Sequence, residues 1–174
     1  IEDTVEDMDA VIESLLLLAR GGNQRLTEEE IIVNDLVFNL ADRLEPLARR
    51  KEVDIGLEQE SLLHLRAPES VLTMVLTNLV RNAINYSGSG RVKIHVGNYE
   101  VLVSDAGRGM SAEELDRIMR PFERGDGSGE AGHGLGLAIV QRLCEYSGWT
   151  LEVASAPDEG TRVHARDLGF LVRY

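Results

Sequence analysis

From Pro68 to Tyr86 the apolar residues Leu72, Val75, Leu76, Leu79 and Ala83 recur at helical spacing. Directly behind them the period changes: "RVKIHV" and "YEVLVSD" alternate apolar and polar residues, as half-buried strands do, with Gly97 and Asn98 marking a hairpin between them. A helix with one apolar face, followed at once by such strands, has to lay that face on the sheet the strands build. The same reading applies on both sides. "EIIVN" is a short strand, "DLVFNLADRLEPLARRK" a helix with Pro46 as a kink point, and "VDIGLE" and "LLHLR" are two further strands. After Asp105 come a short helix from Ser111, a glycine-rich loop "RGDGSGEAGHGLG" and a helix "LAIVQRLCEYSG", then strands "WTLEVAS" and "TRVHAR" across a turn at "APDEG". The expected fold is α/β: a two-layer sandwich of a mixed, largely antiparallel sheet with helices on one face.

One isolated long helix is expected before it. In "IEDTVEDMDAVIESLLLLAR", Ile1, Val5, Met8, Ile12, Leu15 and Ala19 step by four and three, the narrow seam of a coiled-coil helix. "GGNQR" breaks it. The expected organisation is therefore a helix over 1–20, a linker over 21–29 and a domain over 30–174.

Charge narrows the partners. A formal net charge of −12 argues against a broad surface for nucleic acid or for an anionic membrane, while a local pocket for phosphates stays compatible with it. The single cysteine, Cys144, has no internal disulfide partner, and neither a signal-peptide pattern nor a membrane-length apolar run is present, so a reducing, aqueous compartment is expected. The only lysines, Lys51 and Lys93, do not follow a glycine, which excludes a P-loop and the protein-kinase lysine motif.

Chemistry gathers on three stretches. Asn78, Asn82 and Asn85 lie at i, i+4 and i+7, one stripe of the apolar helix, although asparagine is a poor helix former. A side-chain carbonyl oxygen on a helix can ligate Mg²⁺, and Asn82, central in the stripe, is the expected metal ligand. Asp105, at a strand end, suits the amino group of an adenine, and Gly107 and Gly109 let the backbone approach a base closely. Gly132, Gly134 and Gly136 precede a helix whose free N–H groups favour a triphosphate, with His133 offering its backbone N–H and Arg124 supplying side-chain charge.

In order along the chain, "NLVRNAINYS", "DAGRGM", "PFERG" and "GHGLGLAIV" resemble the asparagine, first glycine, phenylalanine and second glycine boxes of the ATP-binding domain of bacterial sensor histidine kinases, in the GHKL superfamily. The resemblance covers roughly residues 30 to 167. It implies a Bergerat sandwich with ATP under a lid, Asn82 on Mg²⁺, Asp105 on adenine, Tyr86 against the nucleotide and Thr161, in "EGT", near the base. Met110, Leu135 and Leu137 join the nucleotide-binding set as members of the glycine boxes. The resemblance further implies that the leading helix is the second helix of a dimerisation and phosphoacceptor hairpin, that the whole protein is a cytoplasm-facing homodimer anchored in the inner membrane, and that a response regulator lies downstream.

Three differences bear on function. None of the four histidines, His64, His95, His133 and His164, sits in an acceptor-like sequence, so ATP binding without an acceptor of its own is expected. Asn85 stands where the family often has a lysine or arginine. Asn78 stands where ATP-hydrolysing relatives carry a glutamate that activates water, and an amide is no general base. The expected activity is transfer of the ATP γ-phosphoryl to a histidine on a hairpin. The rival readings are a degenerate module for partner binding or regulation, a GHKL ATPase, and an anti-sigma-type serine kinase.

Overall fold

The computed structural model describes residues 27–88, 90–119 and 135–168. Seven strands and four helices follow in the order β1 (Glu29–Ile32), α1 (Val33–Arg50), β2 (Val53–Gln59), β3 (His64–Ala67), α2 (Glu69–Tyr86), β4 (Gly90–Val96), β5 (Val101–Asp105), α3 (Ala112–Met119), α4 (Leu135–Ser147), β6 (Thr150–Ser155) and β7 (Thr161–Arg166). Five strands form one sheet in the order β2-β4-β5-β7-β6, in which β2 and β4 run parallel and every other pair is antiparallel. The parallel pair is the consequence of the chain leaving β2, building β3 and α2, and only then returning as β4.

Alternation in the strands decides which face is covered. Val92, Ile94 and Val96 of β4 and Val101 of β5 are fully buried, whereas Arg91 and Lys93, which alternate with them along β4, are exposed. The buried set meets Leu72, Val75, Leu76, Leu79 and Val80 of α2, Val37 and Leu40 of α1, and Val140 and Leu143 of α4 in one core. At about 1.5–3 kcal/mol for each large aliphatic side chain withdrawn from water, this single apolar layer is the main force holding helices to sheet.

Two features differ from the sequence reading. β1 and β3 do not join the large sheet: they form their own antiparallel pair, with Glu29 opposite Ala67 and Ile32 opposite His64. The β4–β5 connection is longer than a Gly97-Asn98 turn. The last pair is Val96 with Val101, the Gly97 N–H donates to the Glu100 carbonyl at 3.0 Å, and the left-handed residue is Tyr99, at φ 58°. As the sequence reading has it, one helix, α1, runs through Pro46 to Arg50. The expected leading helix over 1–20 lies outside the described residues.

The start of α1 is built without a capping side chain. Instead the Val33 N–H donates to the Leu63 carbonyl at 2.9 Å. Asn34, buried, donates through Nδ2 to the Ser61 carbonyl at 3.0 Å and accepts from the Leu63 N–H at 2.8 Å through Oδ1. The β2–β3 loop thus serves as the cap, and Asn34 is the bolt between them. Asn34→Ala leaves a buried N–H and carbonyl unpaired, and is expected to lower the unfolding free energy by about 1–3 kcal/mol, measured by urea denaturation of the two proteins.

Candidate functional site

The asparagine stripe lies on the side of α2 that faces the start of α4. Asn78, Asn82 and Asn85 are all half-buried. A Cβ placed on Gly136 would stand 3.3 Å from Asn82 Nδ2, 3.5 Å from Asn82 Oδ1 and 3.7 Å from Asn78 Oδ1, so the backbone of α4 passes directly over two of the three amides. Their bonding differs. Asn78 donates through Nδ2 to the Met74 carbonyl of its own helix at 2.9 Å. Asn82 makes no hydrogen bond among the described residues, which leaves its carbonyl oxygen half-buried and uncommitted. That donor set, a neutral oxygen held on a rigid helix beside open backbone, fits a hard cation that keeps most of its water and phosphate ligands.

The second part of the site is the strand end at Asp105. Its Oδ1 accepts the Gly107 N–H at 2.8 Å. Burial pushes the carboxyl above the ordinary aspartate range, against the backbone N–H groups of Gly107 and Thr161, which pull it down. The two parts are joined by a contact that only a residue without a side chain permits. A Cβ on Gly107 would stand 1.9 Å from the carbonyl oxygen of Tyr86, the last residue of α2. The helix that carries the asparagines therefore ends on the backbone of the loop that follows the acid.

The other side of that loop is clamped as tightly. Gly109 has φ 61°, and a Cβ on it would stand 1.8 Å from the Ala156 carbonyl oxygen. Asp158 N–H donates to the Arg108 carbonyl at 2.7 Å. Ser155 ties the pieces together: its Oγ accepts the Met110 N–H at 2.9 Å, donates to the Gly160 carbonyl at 2.9 Å and lies 3.0 Å from Thr161 Oγ1. Asp105 and Thr161 are cross-strand partners on β5 and β7. Ser111 caps the start of α3 with a capping box, its hydroxyl accepting the Glu114 N–H at 3.2 Å while Glu114 Oε2 accepts the Ser111 N–H at 2.8 Å.

Asn78, Asn82, Asn85, Tyr86, Asp105, Gly107, Gly109, Met110, Gly136 and Thr161 thus fall along one continuous path of α2, the β5 end, the β6–β7 turn and the α4 start. Leu137 stands apart, its side chain buried in the core, and the Met110 N–H is already taken by Ser155. Arg124, Gly132, His133 and Gly134 lie outside the described residues, and Leu135 opens α4. Ser155 and Gly160 were missing from the expected set. The glycine had a signal, because it sits beside Thr161 in "EGT" and its missing side chain is what lets the Asp105 carbonyl approach; the serine had none, since its bond to Met110 comes from a distant segment.

The family profile described as "Histidine kinase-, DNA gyrase B-, and HSP90-like ATPase" matches residues 67–168. The chain belongs to this family. Its fold is an ATP-binding one, as the resemblance in the boxes implied. The chain is 30% identical over 162 residues to the sensor-like histidine kinase SenX3 of Mycobacterium tuberculosis, a match that takes in 88% of the chain and 40% of SenX3. With the sensor histidine kinase ZraS of Klebsiella oxytoca it shares 30% over 162 residues, across 88% of the chain and 34% of ZraS. The chain therefore spans at most about two fifths of these relatives. Among solved structures, full-length ShkA in complex with AMPPNP superposes with a TM-score of 0.75 at 27% identity, covering 91% of the chain and 35% of ShkA. The nucleotide-free catalytic domain of the histidine kinase ThkA superposes with a TM-score of 0.68 at 25% identity, covering 82% of the chain and 95% of that domain.

Two outcomes test this geometry. Gly107→Ala forces the α2 end and the loop apart and is expected to cost about 1–3 kcal/mol of stability, as overpacking does, read from a denaturation midpoint. For Asp105 the sign follows from its raised pKa in the folded state: the folded form favours the protonated acid, so its contribution to stability falls as pH rises from the ordinary carboxylate range through the raised value. Asp105→Asn, which keeps an acceptor for Gly107, is expected to be at least as stable as the parent near pH 7, with its advantage shrinking toward about pH 4. Thermal melts of both proteins at the two pH values check it.

Proposed function

We propose that this chain is the catalytic and ATP-binding portion of a two-component sensor histidine kinase, transferring the γ-phosphoryl of ATP to a histidine on a dimerisation hairpin. The observation that carries the reading is the pairing of Asp105, a half-buried carboxylate at the strand end with one oxygen bonded only to backbone, and Asn82, an uncommitted amide under Gly136, on the two sides of the Tyr86–Gly107 contact. Asp105 accepts from the adenine amino group, and Gly107, Gly109 and Thr161 line the base. Tyr86 lies against the nucleotide at the helix end. Asn82 holds Mg²⁺, which when bound neutralises charge on the triphosphate. Asn85 lies further along the same stripe, toward the Tyr86 end of the helix. Arg124 and the backbone of Gly132, His133, Gly134, Leu135 and Gly136 take the phosphates.

Asn78 supports transfer over hydrolysis. It is an amide, and its nitrogen is spent on the Met74 carbonyl, so nothing at that position takes a proton from water. The chain's own task is then to bind, orient and neutralise, and the attacking imidazole comes from elsewhere. In this reading residues 1–20 are the second helix of the hairpin, 21–29 the linker and 30–174 the catalytic domain. The whole protein is a homodimer that passes its phosphoryl group to a response regulator. This part faces the cytoplasm and the parent is anchored in the inner membrane; among the described residues no helix is long and apolar enough to cross a bilayer.

Calorimetric titration of ATP with and without Mg²⁺ tests the site. The expected result is Mg²⁺-dependent binding, weakened by about tenfold or more in Asn82→Ala and in Asp105→Asn, the worth of one charge-assisted or metal contact. Affinity unchanged in both variants overturns the assignment. Incubation with labelled ATP and a hairpin carrying an acceptor histidine separates the activities: label on the hairpin supports the kinase, whereas steady phosphate release without it marks an ATPase.

A further inference from the structure

Asp105, Thr161 and Ser155 stand in one row across the sheet. Thr161 is the cross-strand partner of Asp105 on one side and of Ser155 on the other. Partners in register share a face, with Cβ atoms about 4.5–5.5 Å apart, so the Thr161 hydroxyl has an acid within reach on one side and a second hydroxyl on the other. Its single proton can go to either. A carboxylate is the stronger acceptor, and a hydroxyl beside one ordinarily donates to it. Thr161 does not. Its backbone N–H is bonded to the acid, while its Oγ1 lies 3.0 Å from Ser155 Oγ and makes no other hydrogen bond among the described residues.

The protons on Ser155 fix the direction of that contact. A serine hydroxyl has one proton to donate and two lone pairs with which to accept. Ser155 Oγ donates its proton to the Gly160 carbonyl at 2.9 Å and accepts the Met110 N–H at 2.9 Å. The place that remains is for an incoming proton, and Thr161 fills it as the donor. Reversing the contact would take the bond from the carbonyl of Gly160, a buried residue. With its proton committed to Ser155, Thr161 Oγ1 has only a lone pair to offer toward the site. Asp105 in turn keeps the acceptor capacity that a neighbouring hydroxyl would otherwise take up.

We propose that Ser155 is a positioning residue for base recognition: by drawing the Thr161 hydroxyl proton away from Asp105, it leaves two acceptors side by side, a pair that selects a purine with an amino group at position 6 over one with an oxo group there. The inference rests on reading Asp105 as the group that meets the base. A 6-amino group brings two N–H donors to the two acceptors. A 6-oxo group sets a third acceptor against them with no proton between, and leaves all three unpaired.

Two readouts on the full chain test it, the first without nucleotide. The Asp105 carboxyl is titrated by carbon-13 NMR. Ser155→Ala releases the Thr161 hydroxyl, whose proton turns to Asp105 and stabilises its charged form, so the carboxyl is expected to titrate at lower pH than in the parent protein. Ser155→Thr, which keeps a hydroxyl, is expected to titrate as the parent does, and adding Thr161→Val to Ser155→Ala is expected to reverse the shift. Should circular dichroism show that Ser155→Ala does not fold, Thr161→Val alone decides. It leaves the Ser155 bonds to Met110 and Gly160 in place, and the carboxyl is expected to stay where it was, whereas a rise would show Thr161 donating to the acid in the parent. The second readout is the ratio of the ITP and ATP dissociation constants by calorimetry, expected to fall about tenfold in Ser155→Ala, the worth of one hydrogen bond to a charged group. An Asp105 titration indifferent to Ser155→Ala, a shift that survives Thr161→Val, or an equal loss of affinity for ATP and ITP overturns the proposal. A parent protein that binds neither nucleotide overturns the kinase reading and this inference with it; a parent that binds ATP while the variants fail in any of these ways overturns this inference alone.

Discussion

The carbonyl of Tyr86 resting on the Cα of Gly107 is the contact on which the site depends. α2 is held to the sheet by an apolar face that could slide along its axis at small cost, because leucines and valines specify depth better than they specify register. The backbone contact removes that freedom. It sets the end of α2 against the loop after Asp105, and since a helix is rigid along its length, the positions of Asn82 and Asn78 relative to the acid follow. Ser155 and Gly109 complete the clamp from the β6–β7 side.

The electrostatics of the site are set by scarcity. In a chain of net charge −12 with only two lysines, side-chain charge for a polyphosphate has to come from arginines. In the proposed reading a neutral amide holds the cation and backbone N–H groups meet the phosphates, so that dipoles and a metal ion add to arginine charge. Asp105 is the counterpart. Burial makes its charge costly, and two backbone N–H groups lower that cost without removing it. A half-buried carboxylate is a strong acceptor for a donor that arrives later.

Much of this was legible in the sequence, for identifiable reasons. α2 was readable from Pro68 to Tyr86 because a helix-starting proline, a clean 3.6-residue period and a following "SGSG" all agreed. Asp105, Gly107 and Gly109 were readable because an acid at a strand end followed by paired glycines is a local pattern. The β1–β3 pair was not, because strand pairing across α1 and β2 leaves no mark in either segment. Ser155 was not, because beside its contacts across the β6–β7 turn its hydroxyl accepts the N–H of Met110, 45 residues away, and that meeting exists only in three dimensions. The hairpin was misread for a different reason: Gly97 and Asn98 are favoured turn residues, but Val96 and Val101 pair, and the cross-strand registry of buried valines outweighs turn propensity.

The same stripe that suggests a metal site also argues about what happens after ATP binds. Asn78 and Asn82 are chemically identical and four residues apart, yet one amide is turned back onto its own helix and the other makes no hydrogen bond among the described residues. Back-bonding of this kind spends a donor on a carbonyl already used by the helix and normally weakens it slightly. Here it fixes the Asn78 side chain under Gly136 with only its carbonyl oxygen toward the site. A carbonyl oxygen can accept a hydrogen bond from water but cannot take its proton at neutral pH. Water beside the γ-phosphate would then be held without being activated, and bound ATP would persist until a nucleophile carrying its own basicity, such as an imidazole, came into line.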